Sequence, residues 1–168
     1  AAGRVIRLLH EDAAKLSENA PSIAHRYRAP VAAHQDELTL GGNIHADSTY
    51  IAYHVRRGDF QYKDMKITAD EIYANTKHLL HPLRTSIIYI STDETDHKFF
   101  NPLRGSSSDF PGVYRFPNGG VFQLRFLTDY AIKAGLDMSN QNHIGMIEQI
   151  ICANAHTFFG TFRSSFSG

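Results

Sequence analysis

A histidine and two arginines follow an apolar run near residue 50. Residues 50–60 read YIAYHVRRGDF, so apolar side chains on both faces give way to His54, Arg56 and Arg57. Side chains alternate along a strand, so His54 and Arg56 share one face and Arg57 points to the other. A guanidinium grips a phosphate through two hydrogen bonds. Arg56 is therefore a candidate ligand for a phosphate.

Arg56 also has an interpretation that involves no ligand. Its guanidinium can pair with a carboxylate of the chain, such as Asp59 or Glu148. His54 by itself is more typical of a satisfied, partly buried histidine than of a catalyst. Position in the sequence leaves both interpretations of Arg56 open.

A carboxylate, Glu148, interrupts the apolar stripe of a helix predicted over residues 143–155. Ile144, Glu148 and Ile151 lie along one face, at spacings of four and three. A carboxylate in such a stripe costs stability unless a partner satisfies it. The partner is either an arginine of the protein or a ligand with N–H donors, such as a guanine edge. The position does not choose between them.

Two further segments place hydroxyl or carboxylate groups after a predicted strand. Residues 160–166, GTFRSSF, are expected to open a helix, where free N–H groups beside Ser164 and Ser165 would form an anion site. The commoner use of serine there is a plain N-cap. Asp93 follows the predicted strand 86–91 and either caps the short helix after it or contacts a ligand. These groups are all expected at one edge of a sheet.

Alternating strands and helices would bring these groups together. Apolar runs predict strands at 50–60, 86–91, 112–116 and 156–159, and helical periodicity predicts helices at 4–20, from 68 to about 83, at 121–134 and at 143–155. Thr68 and Glu71 have the spacing of a capping box. Residues 21–48 lack periodicity and read as a long connection. The order predicts an α/β fold, a Rossmann-like doubly wound parallel sheet, which binds ligands at the carboxyl ends of its strands.

Composition excludes several classes of protein. The chain has 168 residues, 42% of them apolar and 20% charged, which is typical of a soluble globular domain. Its 17 acidic and 17 basic residues balance, so we expect no nucleic-acid partner. No apolar run approaches the roughly 20 residues that span a bilayer, and we expect no signal peptide at the N-terminus.

Cysteine, histidine and glycine patterns exclude further kinds of site. Cys152 is the single cysteine, so it has no partner for an internal disulfide. The ten histidines show no metal-ligand spacing, and we expect no metal. A P-loop and a Gly-x-Gly-x-x-Gly fingerprint are also missing, which ranks ATP- and NAD-dependent enzymes last.

Three motifs together resemble the protein O-fucosyltransferase family. Residues 54–60 (HVRRGDF) are similar to its His-x-Arg-Arg-x-Asp-Phe segment, and residues 89–93 (YISTD) to its strand that ends in Thr-Asp. Its last conserved block resembles residues 146–155 (MIEQIICANA), 158–161 (FFGT) and 164–167 (SSFS). Order and approximate spacing agree over about two thirds of the chain.

The resemblance implies a place within a larger enzyme. Such proteins have two Rossmann-like domains that face a cleft, as in B-type glycosyltransferases, and the C-terminal one binds GDP-fucose. Residues 50–168 resemble that C-terminal domain, whereas residues 1–49, a helix and a long connection, remain unassigned. We therefore expect a piece of a longer chain, with an N-terminal half that completes the enzyme.

The resemblance also implies a set of donor-binding residues. Arg56 would hold the diphosphate and stabilise its growing charge as the catalytic residue, and Glu148 would contact guanine where the family often has Asp. The whole set is His54, Val55, Arg56, Asp93, Glu148, Ser164, Ser165 and Phe166. No cofactor is expected beyond GDP-fucose as donor substrate.

The implied reaction is transfer of fucose with inversion to a hydroxyl of a protein or glycan acceptor, in the secretory pathway, without a metal ion. The alternative is a non-catalytic module that retains the fold and binds a nucleotide sugar, or has a structural role. Turnover by the intact protein distinguishes the two.

Overall fold

Four α-helices and four β-strands make up the regular structure of the part described by the computed structural model, residues 1–19, 49–58, 67–80, 82, 85–117 and 119–160. The helices are α1 (Ala2–Asn19), α2 (Ala69–Thr76), α3 (Leu127–Ala134) and α4 (Gln141–Ala153). The strands are β1 (Tyr50–Val55), β2 (Ile87–Thr92), β3 (Gln123–Arg125) and β4 (Thr157–Phe159). Two 3₁₀ segments, Lys77–Leu79 and His97–Arg104, connect them.

The strands form one parallel sheet in the order β3-β2-β1-β4. β1 pairs along its whole length with β2, so that Val55 lies opposite Thr92. Every residue of β1 is buried, as the apolar character of both its faces predicts. Because all strands run in one direction, their carboxyl ends meet at one edge, where Arg56 and Asp93 follow β1 and β2.

Helices cover both faces of this sheet, and each face has its own apolar core. On one face α1, α3 and α4 pack against Tyr50 and Ala52. On the other face α2 and the 3₁₀ helix His97–Arg104 pack against Ile51 and Tyr53. The pleat of the strand sends alternate side chains to opposite faces. A parallel sheet between two helical layers confirms the predicted Rossmann-like, doubly wound α/β fold.

The N-terminal helix α1 belongs to the first of these cores. Val5, Leu9 and Ala13 are completely buried, on the apolar face of the helix that the sequence predicts over residues 4–20. The Asp12 carboxylate on the same helix accepts hydrogen bonds from Arg125 Nε at 2.8 Å and from the Tyr130 hydroxyl at 2.9 Å. These bonds tie α1 to β3 and α3.

The second helix begins as predicted but ends early. Thr68 accepts a bond from the Glu71 backbone, and the Glu71 side chain accepts one from the Thr68 backbone, which confirms the capping box. The expected extension to residue 83 is wrong. Leu80 has an extended backbone with ψ 135° and buries its side chain in the core. Pro82, two residues later, has no N–H for a helical bond.

The third strand lies elsewhere than predicted. Residues 112–116 form no strand. β3 instead lies inside the segment 121–134, which the sequence predicts as one helix, and the helix in that segment is confined to α3.

Backbone pairing with distant residues explains this difference. The Arg104 carbonyl accepts N–H bonds from Val121 at 2.8 Å and Phe122 at 2.9 Å, and Gln123 donates to the Ser86 carbonyl at 2.7 Å. Gly120 permits the crossing, because with φ 91° a Cβ there would lie 2.5 Å from the Arg104 Cβ. These bonds hold the chain against β2, so residues 123–125 form a strand although the apolar periodicity of this segment is helical.

The last helix, α4, confirms the helix predicted over residues 143–155, but it begins and ends two residues earlier. Ile144, Ile147 and Ile151 are buried as expected, but Ile150, assigned to the same face, is 48% exposed. One helical residue is a rotation of about 100°, which carries Ile150 away from the core that Ile151 faces. Within the described residues, every helix is too short or too polar to cross a membrane.

Candidate functional site

A cavity of about 330 Å³ opens at the carboxyl edge of the sheet. Its walls come from the ends of β1 and β2, the start of α3 and one face of α4. Four side chains singled out from the sequence line it: His54, Arg56, Asp93 and Glu148. A volume of this order suits a small-molecule ligand. The structure therefore brings these residues together, as the parallel arrangement predicts.

Arg56 reaches the cavity from the residue after β1. Its side chain is 47% exposed, and its Nε lies 3.9 Å from Asp93 Oδ2, which is longer than a hydrogen bond. A half-exposed pair at this distance contributes little to stability. Arg56 is thus presented to the cavity beside Asp93, at a distance longer than a hydrogen bond.

His54 lies two residues earlier on the same face of β1, as strand alternation predicts. The side chain is buried, and burial lowers the pKa of His54 to about 4, with Asp93 opposing this shift and Arg56 adding to it. The imidazole is therefore neutral at pH 7. A neutral imidazole carries one N–H donor.

Asp93 holds the loop that carries Arg56. Its Oδ1 accepts the backbone N–H of Arg57 at 2.6 Å, and its Oδ2 accepts that of Gly58 at 2.9 Å. The expectation that Asp93 caps the following helix is wrong: Asp96 caps it, accepting from the Lys98 N–H. The carboxyl ends of β1 and β2 are neighbours in the sheet. The Asp93 carboxylate therefore lies close to the backbone N–H groups that follow β1 and binds these, and not the N–H groups of the helix that follows β2.

Arg57 points away from the cavity, as predicted. Its Nε pairs with Glu94 Oε2 at 3.0 Å, and its guanidinium lies 3.8 Å from the centroid of the Phe99 ring. A further bond goes to the Ile67 carbonyl at 3.2 Å. Arg57 therefore supports the loop from the opposite face of the sheet.

Glu148 forms part of the opposite wall, on α4. Ser91 Oγ donates to its Oε2 at 3.0 Å, and the Tyr89 hydroxyl approaches its Oε1 at 3.4 Å. Within the described part of the chain, the partner of this carboxylate is thus a pair of hydroxyl groups and not an arginine. Burial raises the pKa of Glu148 to about 7, and the two hydroxyl bonds only partly oppose that shift. Near neutral pH the side chain is poised between acid and anion.

Several residues of the cavity have no clear signal in the sequence. Ser91, which lines the cavity, and Tyr89, which contacts Glu148 from behind it, read as ordinary members of a buried strand. The rings of His97 and Phe126 stack with centroids 3.7 Å apart and planes at 5°, although 29 positions separate them in the chain. Gly145 also lines the cavity. For Ser91 the alternation of faces along β2 was an available signal, since it shares a face with Tyr89.

The remaining predicted ligands are placed differently. Val55 packs its side chain into the core on the other face of the sheet, and its carbonyl accepts a bond from Thr92 Oγ1 at 2.6 Å. The predictions at Ser164, Ser165 and Phe166, and the pairing with Asp59, lie outside the described residues. Across the described part of the chain, no three His, Cys, Asp or Glu side chains are grouped to hold a metal ion.

The fold and this cavity define a class of protein. A parallel sheet with helices on both faces, and a cavity at the carboxyl ends of its strands, is the architecture of the Rossmann-like fold. The chain belongs to the GDP-fucose protein O-fucosyltransferase family, whose model matches residues 11–168.

A similar protein carries the same description. The chain is 27% identical over 124 residues to GDP-fucose protein O-fucosyltransferase 2 of Drosophila melanogaster. The match covers 70% of this chain and 22% of that protein. The chain thus spans about a fifth of the length of this relative.

Proposed function

We propose that this chain is the donor-binding part of an enzyme that transfers fucose from GDP-fucose to a hydroxyl group of a protein acceptor. The observation that carries the proposal is the convergence of Arg56, His54 and Glu148 on one cavity in a member of this family. The acceptor site and the N-terminal Rossmann-like half would come from the rest of the protein. A location in the secretory pathway goes with this assignment.

The two walls of the cavity suit the two ends of GDP. Glu148 offers carboxylate oxygens, and guanine has a ring N–H and an exocyclic NH₂ side by side on one edge. Arg56 and the neutral His54 offer N–H donors for the diphosphate. Donors and acceptors are therefore matched in type at both ends of the ligand.

Arg56 is the group that acts on the reaction. The acceptor oxygen bonds to the anomeric carbon as the bond from that carbon to the β-phosphate oxygen breaks, and attack from the opposite face inverts the configuration. The electron pair of the broken bond stays on GDP, so negative charge grows on the β-phosphate. A guanidinium next to that oxygen stabilises the charge. This supplies the role that a divalent ion has in other glycosyltransferases.

Asp93 has a positioning role in this scheme. By binding the N–H groups of Arg57 and Gly58 it fixes the backbone from which Arg56 extends. Ser164, Ser165 and Phe166 would complete the donor site, as the family motif implies, and the proton of the acceptor hydroxyl leaves to a base from the other half of the enzyme.

GDP binding tests the proposal directly. In the full-length protein, Arg56→Ala should weaken GDP binding, measured by isothermal titration calorimetry, by roughly tenfold to a hundredfold, the scale of a charge-assisted bidentate bond. Arg7→Ala, which removes an exposed arginine of α1 outside the cavity, is the matched control and should bind GDP normally. Fucose transfer should fall in Arg56→Ala at saturating donor as well.

The outcomes separate the candidate functions. A folded protein that ignores millimolar GDP would refute the donor site. Tight GDP binding without any transfer by the intact protein would instead favour the non-catalytic module that keeps this fold.

A further inference from the structure

Gly145 lies in the interior of α4 and faces the cavity. The helix presents Gln141, Ile144, Gly145 and Glu148 to that space, at the spacing of one helical face. Of these positions, 145 is the one without a side chain.

Neither packing nor backbone geometry requires glycine here. Among the described residues, a Cβ built at Gly145 would meet nothing within 4 Å, and the position is helical. At Gly58, by contrast, a Cβ would lie 2.7 Å from the Asp93 carboxylate. Glycine in a helix interior is destabilising relative to alanine. The residues that the structure describes therefore give no packing or backbone reason for the missing side chain, and the space beside Gly145 is the feature left to explain it.

Glu148 lies one turn further along the same face. Side chains on a helix lean towards its N-terminus, so the Glu148 side chain extends over the turn that contains Gly145. Ser91 and Tyr89 hold its carboxyl group from the sheet side. The acceptor oxygens and the open space thus lie next to each other on one wall.

We propose that Gly145 is a specificity-determining residue, whose missing side chain leaves a slot along α4 for a flat purine base while Glu148 binds the N–H edge of that base. The inference rests on the proposed function and names the part of the site that selects the nucleobase. A purine with adjacent ring and exocyclic N–H donors, as in guanine, is the ligand class that the slot and the carboxyl group accept. A side chain at position 145 would occupy the space of the ring.

The test fills the slot. In the full-length protein, Gly145→Leu should lower GDP affinity at least tenfold and Gly145→Ala by a few-fold, measured by calorimetry. Gly3→Leu is the matched control, because Gly3 is also helical, has nothing within 4 Å of its Cβ position and lies outside the cavity. It should bind GDP as the wild type does. The melting temperature of Gly145→Leu should not fall, since leucine is the better helix former.

Inorganic pyrophosphate separates the base from the phosphates. Gly145→Leu should retain the thermal stabilisation that pyrophosphate gives the wild type, whereas Arg56→Ala should lose it. If Gly145→Leu loses the response to both GDP and pyrophosphate while still folded, position 145 does not act on the base and the inference is overturned.

Failure of the inference is distinct from failure of the proposed function. If the wild-type protein does not bind GDP, both the inference and the proposed function are refuted. Wild-type protein that binds GDP, with Gly145→Leu binding equally well, sinks the slot and leaves the donor site intact. Should the leucine variant not fold, Gly145→Met, with a flexible unbranched side chain, is measured against the same tenfold criterion.

Discussion

At the scale of single residues, Glu148 shows how a site can balance between two protonation states. Two hydroxyl donors stabilise its anion, and burial disfavours that anion more strongly. The ionised form is an acceptor only, whereas the protonated form carries a proton on one oxygen. A ligand edge with two N–H donors therefore binds the ionised form, and binding expels the proton.

The first residue-scale prediction is a pH dependence of GDP affinity. Because the pKa of Glu148 is raised to about 7 and only its ionised form accepts both bonds, affinity should rise as pH increases from 5.5 and level off above 7. The limiting slope is about tenfold per pH unit. Calorimetry at pH 6 in buffers of different ionisation enthalpy should show proton release on binding.

Glu148→Gln isolates this effect, because titration of the GDP phosphates is the same for both proteins. Its GDP affinity at pH 7.5 should be lower, and the ratio of wild-type to variant affinity should fall as pH decreases. A ratio that is constant between pH 5.5 and 8 would show that Glu148 does not contact the base.

The stability of the ligand-free protein should fall as pH rises, whereas its GDP affinity should increase. The folded protein holds the Glu148 proton more tightly than the unfolded chain does, so this contribution is complete below the ordinary value of 4.5 and is lost as pH rises to about 7. Relative to wild type, Glu148→Gln should therefore gain up to about 3 kcal/mol between pH 4.5 and 8, measured by urea unfolding without ligand. The same variant should thus weaken the ligand complex and lose less stability than the wild type as pH rises.

At the scale of elements, the site depends on how two strand ends are joined. The pairing of β1 with β2 ends at Val55. The Asp93 carboxylate, just after β2, accepts the backbone N–H groups of the segment that follows β1. The close approach needs Gly58, where a Cβ would collide with Asp93. Arg56 is therefore aimed by a neighbouring strand as much as by its own.

The corresponding prediction concerns Asp93→Asn. An amide nitrogen that replaces one carboxylate oxygen faces an N–H donor, so one of the two loop bonds is lost and Arg56 is released from its fixed position. GDP affinity should fall about tenfold, in line with the loss of one charge-assisted bond. Near-UV and far-UV circular dichroism should stay unchanged.

Asp96→Asn is the control for this change. Asp96 caps the 3₁₀ helix three residues away, and asparagine caps as well as aspartate does. This variant should bind GDP normally. Equal affinities for Asp93→Asn and wild type would show that the loop does not depend on the carboxylate.

At the scale of the whole molecule, α1 is joined to the sheet by a charged cluster as well as by its apolar face. Asp12 binds Arg125 of β3 and Tyr130 of α3. Burial by itself raises the pKa of Asp12, but the bonds from Arg125 and Tyr130 outweigh it and hold the pKa below its usual range. α1 therefore closes the core on the face that also contains α4.

Asp12→Ala tests this connection. It leaves a half-buried guanidinium and a phenol without their acceptor, so unfolding free energy should fall by about 1–2 kcal/mol, or roughly 3–6 °C in melting temperature. Glu11→Ala, at an exposed neighbour on the same helix, should change little. An equal loss in both variants would mean that helix propensity and not the cluster is responsible.

Local patterns were sufficient for much of the fold. The apolar run on both faces of β1 indicated a buried parallel strand, and Thr68 with Glu71 indicated a helix start, because each depends on residues within one turn or one strand. The same locality placed His54 and Arg56 on one face and Arg57 on the other. The sequence also showed that Glu148 is a carboxylate in an apolar helix face, but it did not show which groups contact that carboxylate.

Sequence patterns were enough to predict the alternation of strands and helices, the sheet edge where polar residues collect and the motifs that resemble a family. The folded chain was needed to show that residues 123–125 pair with β2, that Asp93 binds a loop instead of a helix, and that hydroxyl groups contact Glu148. The reason is physical. Periodicity and caps are set by neighbours in the chain, whereas the partner of a buried polar group depends on which distant segment packing brings against it.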